Sequence, residues 1–107
     1  MSRLALLDVE RLESEQAAEQ SALAAAGVAS FALERGAEPG DVDTLARREA
    51  DAIARANVAR GTVETIEVTR TSDSRSAVVL TVTLAARYGG FAGVTTYVTS
   101  ATALVRR

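Results

Sequence analysis

An α+β fold is predicted by three features of the chain. Residues 1–35 are dominated by alanine, leucine, glutamate and glutamine, the strongest helix formers. The segment GAEPG, residues 36–40, interrupts that composition, because a proline bracketed by glycines does not continue a helix. After Gly61 the spacing of apolar residues changes from about 3.6 to about 2, the mark of strands replacing helices. Helices followed by strands, with no alternation between them, point to α+β layers. The expected layout is a single domain over 1–107, with a long helix over 1–35, a second antiparallel or angled helix over 41–60, and a three-stranded antiparallel β-meander over 62–105.

The first helix is expected from about Arg3, capped by Ser2, to Arg35, with Gly36 as its left-handed stop. Leu4, Leu7, Val9 and Leu12 open it as an apolar cluster, and a stripe continues through Ala17, Ser21, Ala24, Val28 and Phe31 at helical spacing. The second helix restarts at DVDT with Asp41 or Asp43 as N-cap. Val42, Leu45, Ala46, Ala50 and Ile53 are its expected buried face, with Gly61 as its stop. Asp51 and Arg55 stand one turn apart as an ion pair.

In TVETIEVTRT, residues 62–71, strict alternation sets Ile66 and Val68 on one side and Val63 on the other. SDSRS, residues 72–76, is a polar turn. AVVLTVTLAAR puts Val78, Leu80, Val82 and Leu84 on one face, and VTTYVTSATALV supplies a third, β-branched strand after the turn YGGFAG. The helices are expected to cover one sheet face, leaving the threonine-rich face open.

Composition excludes several kinds of chemistry. Of 107 residues none is cysteine or histidine, which removes thiolate nucleophiles, Ser-His-Asp triads and zinc sites built on imidazole or sulfur. A net charge of −2 with no clustered basic face argues against nucleic acid. The opening MSRLALLDVE meets an acid at Asp8, too early for a signal-peptide core, and the longest uncharged run, residues 20–33, is short of a membrane span. DVDT lacks the glycine and glutamate of a calcium loop, so helix capping is its expected role. Glu10, Glu13, Glu15 and Glu19 form a solvated face with nothing to complete a catalytic or metal site. No catalytic, cofactor-binding or metal-binding residue is assigned, and an enzyme is not expected.

What remains is packing. Ala22, Ala24, Ala25, Gly27, Ala29 and Ser30 let another backbone approach closely, either within the chain or across an interface. A helix of 33 residues spans roughly 50 Å, longer than strands of about ten residues, so its N-terminal third is expected to project. GGFAG lacks the order of a phosphate loop and is a hairpin turn; Tyr88 and Phe91 around it are candidate exposed aromatic anchors. Ala22, Ala25, Gly27, Ala29, Tyr88 and Phe91 are thus the candidate protein-interaction residues.

EQAAEQSALAAAG (15–27), READAIARANVARG (48–61), VETIEVTR (63–70) and AVVLTVTLAAR (77–87) resemble, over residues 11–105, the TadE/TadG-like pilus proteins of bacteria. In that family a membrane helix runs into an alanine-rich helix, a second helix follows, and short strands complete a pilin-like domain. The cysteines many members carry in the strand region are absent here. The resemblance implies a non-enzymatic minor pilin or pilus-assembly component. It further implies pilus or secretion-assembly partners, or further copies of this chain, a membrane helix upstream of residue 1, and a head over 36–107 outside the cytoplasm at the cell surface. If Met1 is the true start, the alternative is a soluble cytoplasmic domain that oligomerises through its alanine-rich helix and sheet edge.

Overall fold

A computed structural model describes residues 3–72, 78–90 and 93–105, with side chains in the first helix from Asp8 onward. The order is α1 (Arg3–Glu34), α2 (Pro39–Asn57), β1 (Thr62–Ser72), β2 (Val78–Gly90) and β3 (Gly93–Val105). The strands form one antiparallel sheet in the order β1-β2-β3. This is the expected α+β arrangement. The residues after Ser72 in the expected first turn, and Phe91 in the second, lie outside the described residues.

α1 ends as its sequence dictates. Gly36 sits at φ +79°, and the Gly36 and Ala37 amides donate to the carbonyls of Leu33 and Ala32, each at 3.0 Å. These are the paired bonds that close a helix through a left-handed residue. A Cβ on Gly36 would meet nothing within 4 Å, so the cost of a side chain here is that of the backbone region alone. Gly36→Ala is therefore expected to lower stability by about 1 kcal/mol, measured as a shift of the denaturant midpoint at unchanged slope.

α2 begins earlier and ends sooner than its sequence implies. Glu38, not Asp41 or Asp43, is the N-cap, without a side-chain cap bond, and Pro39 occupies the first turn. Proline's fixed φ and missing N–H suit that position, so the residue that ends one helix also opens the next. Asp41 lies in the first turn, where a carboxylate suits the helix dipole. Asp43 instead pairs with Arg70 of β1 at 3.4 Å. The helix stops at Asn57, whose side-chain amide donates to the Ile53 carbonyl at 2.8 Å; Gly61 is not its stop. The buried face is Val42, Ala46, Ala50 and Ala54, while Leu45 is 39% exposed.

The buried stripe of α1 also departs from expectation. Ser14, Ala17, Ala18, Ser21, Ala22, Ala25, Ala26, Ala29 and Ala32 are buried, whereas Ala24 and Val28 are half-buried and Phe31 is 56% exposed, with the Arg35 guanidinium 4.5 Å over its ring. Size, not hydrophobicity, marks the inward face. Alanines bring α1 close to α2 and the sheet, and the sheet supplies the bulk through Val78, Leu80, Val82, Leu84 and Tyr88. A larger side chain on α1 would hold the layers apart at a loss of contact on both sides.

A bulge at Glu64 corrects the register of β1. Val63 pairs with Ala86 but Thr65 pairs with Ala85, so one extra residue is absorbed and the facing of the chain flips. Val63 therefore points inward with Ile66 and Val68, not opposite them, and Glu64 reaches Arg87 at 3.3 Å. α1 lies over β2 and β3, and α2 over β1. The strands run 11 to 13 residues, longer than anticipated, and buried positions on α1 extend from Ser14 to Ala32. No described side chain before Ser14 is buried: Asp8, Arg11 and Leu12 are exposed, and Val9, Glu10 and Glu13 are half-buried.

Candidate functional site

The most constrained polar cluster joins three segments far apart in the chain. Tyr88 is buried on the inner face of β2, 2% exposed. Its hydroxyl donates to Glu13 Oε1 at 3.0 Å, and the same oxygen accepts the Arg60 amide at 3.1 Å. The tyrosine ring meets Tyr97 edge-on, with centroids 5.6 Å apart, a favoured aromatic geometry. Gly61 completes the enclosure. A Cβ there would stand 2.6 Å from the Arg87 carbonyl oxygen and 2.8 Å from the Tyr88 ring. Glu13 thus binds the start of α1 to both the α2–β1 connection and β2.

Burial is the main cause that pushes the Tyr88 hydroxyl well above its ordinary pKa of 10.0, reinforced by its bond to the Glu13 carboxylate. The folded state therefore holds a proton that the unfolded chain releases near pH 10. Stability from this site is fully present below that pH and is lost as pH rises past it. Removing the hydroxyl in Tyr88→Phe is expected to cost about 1 kcal/mol at neutral pH. Comparing denaturation of the two proteins from pH 8 to 11 checks both points: the gap between them should narrow above pH 10.

A second polar seam runs beside the first. Thr99 Oγ1 donates to the Ser14 carbonyl at 3.2 Å, which leaves the Ser14 hydroxyl to donate to Thr99 Oγ1 at 3.1 Å. Ser21, also fully buried, donates to the Ala17 carbonyl at 2.6 Å. No buried side-chain polar atom among the described residues lacks a partner. These groups are absorbed by bonds within the fold.

The candidate interaction residues separate accordingly. Ala22, Ala25 and Ala29 are buried against α2 and the sheet, so contacts within the chain occupy them. Tyr88 is an internal anchor and not an exposed one, because its ring fills the space that Gly61 leaves open. Phe91 lies outside the described residues. Of the described members of the set Gly27 alone is exposed and open, with nothing within 4 Å of a notional Cβ. It lines a groove of about 480 Å³ between α1 and β3, together with Leu23, Ala26, Ser30, Glu34, Ala103 and Leu104.

Larger apolar side chains stand at the surface of both elements, among them Leu12 and Phe31, which helical spacing sets on the apolar stripe of α1. Leu12, Leu23 and Phe31 of α1 are more than half exposed, as are Val94, Val98 and Leu104 of β3. Their signal was their size: each is a bulky residue on an element whose buried positions are filled by smaller ones or by its opposite face. Among the described residues no group of three or more acids comes together as metal ligands, and of the early acids only Glu13 is drawn into the interior network. Comparisons of this chain with protein-family models, with curated proteins and with solved structures find no match.

Proposed function

We propose that this chain is a non-enzymatic subunit that acts by packing against other proteins, as a minor pilin or assembly component of a pilus or secretion machine at the cell envelope. One observation carries the reading. α1 runs unbroken for 32 residues along a molecule whose longest extent is 50 Å, and it buries alanine while turning Leu12, Leu23 and Phe31 outward. Burial of apolar surface is favourable by about 25 cal/mol per Å². A helix that turns these three large apolar side chains outward is suited to a second contact. The most enclosed polar groups fit the same reading, since Glu13 with Tyr88 and Ser14 with Thr99 are engaged with one another in the fold.

The pilus or secretion setting rests on the resemblance of residues 11–105 to TadE/TadG-like proteins. There α1 continues a membrane anchor and residues 36–107 form the head. No helix among the described residues is long and apolar enough to cross a membrane, so the proposed anchor lies outside them. The alternative, a cytoplasmic oligomerising domain, draws on the open edge of the sheet at β3.

Because the chain has no cysteine, Leu12→Cys supplies a unique handle for crosslinking in the native cell. The tagged protein should appear in the envelope fraction, crosslinked to envelope proteins. Recovery solely from the soluble fraction, with no crosslink to another protein, would defeat the assembly reading and leave the cytoplasmic one.

A further inference from the structure

The two edges of the sheet are built differently. β1 carries a bulge after Val63, and Glu64, Glu67 and Arg70 lie along it, two of them held in ion pairs with Arg87 and Asp43. Bulges and charges are the usual means of keeping an edge from pairing with a foreign strand. β3 has none of them. Gly93–Val105 contains no charged residue and no proline, and it pairs with β2 without a register shift from Val78↔Val105 to Gly90↔Gly93. Beyond it no further strand stands among the described residues.

We infer that two copies of this chain associate through the outer edge of β3, antiparallel about a two-fold axis, so that the two sheets become one and the flanks of the two α1 helices meet beside the joint. A strand pairing with its own copy is self-complementary by symmetry. An uncharged strand does so without setting like charges opposite each other. Valine and threonine, which fill much of β3, are the residues best suited to such a ladder.

Surface area supports a second copy as the occupant. A compact monomer of this mass, 11.2 kDa, exposes roughly 5,700 Å², whereas this chain exposes 6755 Å². That excess, roughly 1,000 Å² over the whole elongated chain, leaves ample surface for the ~800 Å² that each partner contributes to a stable interface. Its radius of gyration, 15.3 Å, likewise exceeds the ~13 Å of a compact domain of this length. The helix flank beside the edge is also prepared for contact. Leu23 and Leu104 are 60% and 65% exposed on either side of the groove, and Gly27 between them lets a neighbouring helix approach closely.

This pairing goes beyond the assembly role and does not depend on an anchor, so the two fail separately: an envelope-bound monomer defeats only the dimer, and a soluble dimer defeats only the envelope setting. The test is sedimentation of the full chain across a concentration series, with spin labels on single cysteines. A reversible dimer is expected, with labels at Val98→Cys closer between copies than labels at Thr69→Cys on β1. Val98→Lys combined with Leu104→Lys, both at exposed positions, should weaken the dimer at least about tenfold with an unchanged far-ultraviolet spectrum. Glu67→Lys on β1 should leave it intact. A monomer at every concentration, whether or not a strand from another protein takes the edge, overturns the inference. So does a dimer indifferent to the β3 lysines, or one in which the β1 labels lie closer.

Discussion

Ala25→Leu is expected to destabilise the protein by about 3 kcal/mol or more, a substantial part of the stability of a small domain. Ala25 is fully buried in the cluster that joins α1, α2 and the inner face of β2 and β3. α2 meets it with Val42, Ala46 and Ala50, so both helices present small residues to their contact. Three added carbons have no space unless the helices separate, and separation loosens every other alanine contact along the stripe. By sequence alone the same change looks helpful, since leucine is an excellent helix former and adds apolar surface. Chemical denaturation followed by circular dichroism should show the lower midpoint, and a thermal midpoint lower by at least about 12 °C follows from the size of the chain.

Gly27→Ala is the internal comparison. It lies two positions further along α1, exposed and with open space around it, and alanine there should raise stability by about 0.5–1 kcal/mol through helix propensity. Opposite signs at neighbouring positions would establish that the constraint at Ala25 is spatial. Equal, small effects at both would mean that α1 and α2 do not pack through this stripe.

The second large effect is expected at Gly61. Gly61→Ala should cost about 2–3 kcal/mol, because its Cβ would lie 2.6 Å from the backbone oxygen of Arg87 and 2.8 Å from the Tyr88 ring. A backbone oxygen within a paired strand yields little, so the Tyr88 side or the α2–β1 connection must move. Either movement disturbs the oxygen of Glu13 that both Tyr88 and Arg60 share. Combining Gly61→Ala with Tyr88→Phe should therefore give a loss smaller than the sum of the two, since residues sharing one network do not behave additively. Strict additivity in denaturation would show that glycine and tyrosine act apart.

Glu13 shows most directly why part of the site was not legible. On the sequence it belongs with Glu10, Glu15 and Glu19 as a solvated helix face. In the fold its carboxylate accepts from groups 47 and 75 residues away. Nothing local separates it from its neighbours. Tyr88, beside two glycines, carried the pattern of an exposed turn aromatic, yet β2 continues to Gly90 and its alternation places Tyr88 on the inner face with Leu84 and Ala86. Val63 was misplaced by alternation for a related reason: a single bulge reverses facing, and the spacing of side chains does not record it.

The kind, order and approximate ends of the elements follow from residue pattern, because each depends on contacts within a few residues: helix propensity through α1, proline and glycine at 36–40, alternation in β2 and β3. That pattern did not determine which side of α1 faces inward. Tertiary structure decided that, since the inward side is set by how closely three layers approach, and at that distance alanine fits where Phe31 and Leu23 do not. Tertiary structure alone also produced the difference between a bulged, charged edge at β1 and a plain one at β3, because only strand order makes an edge.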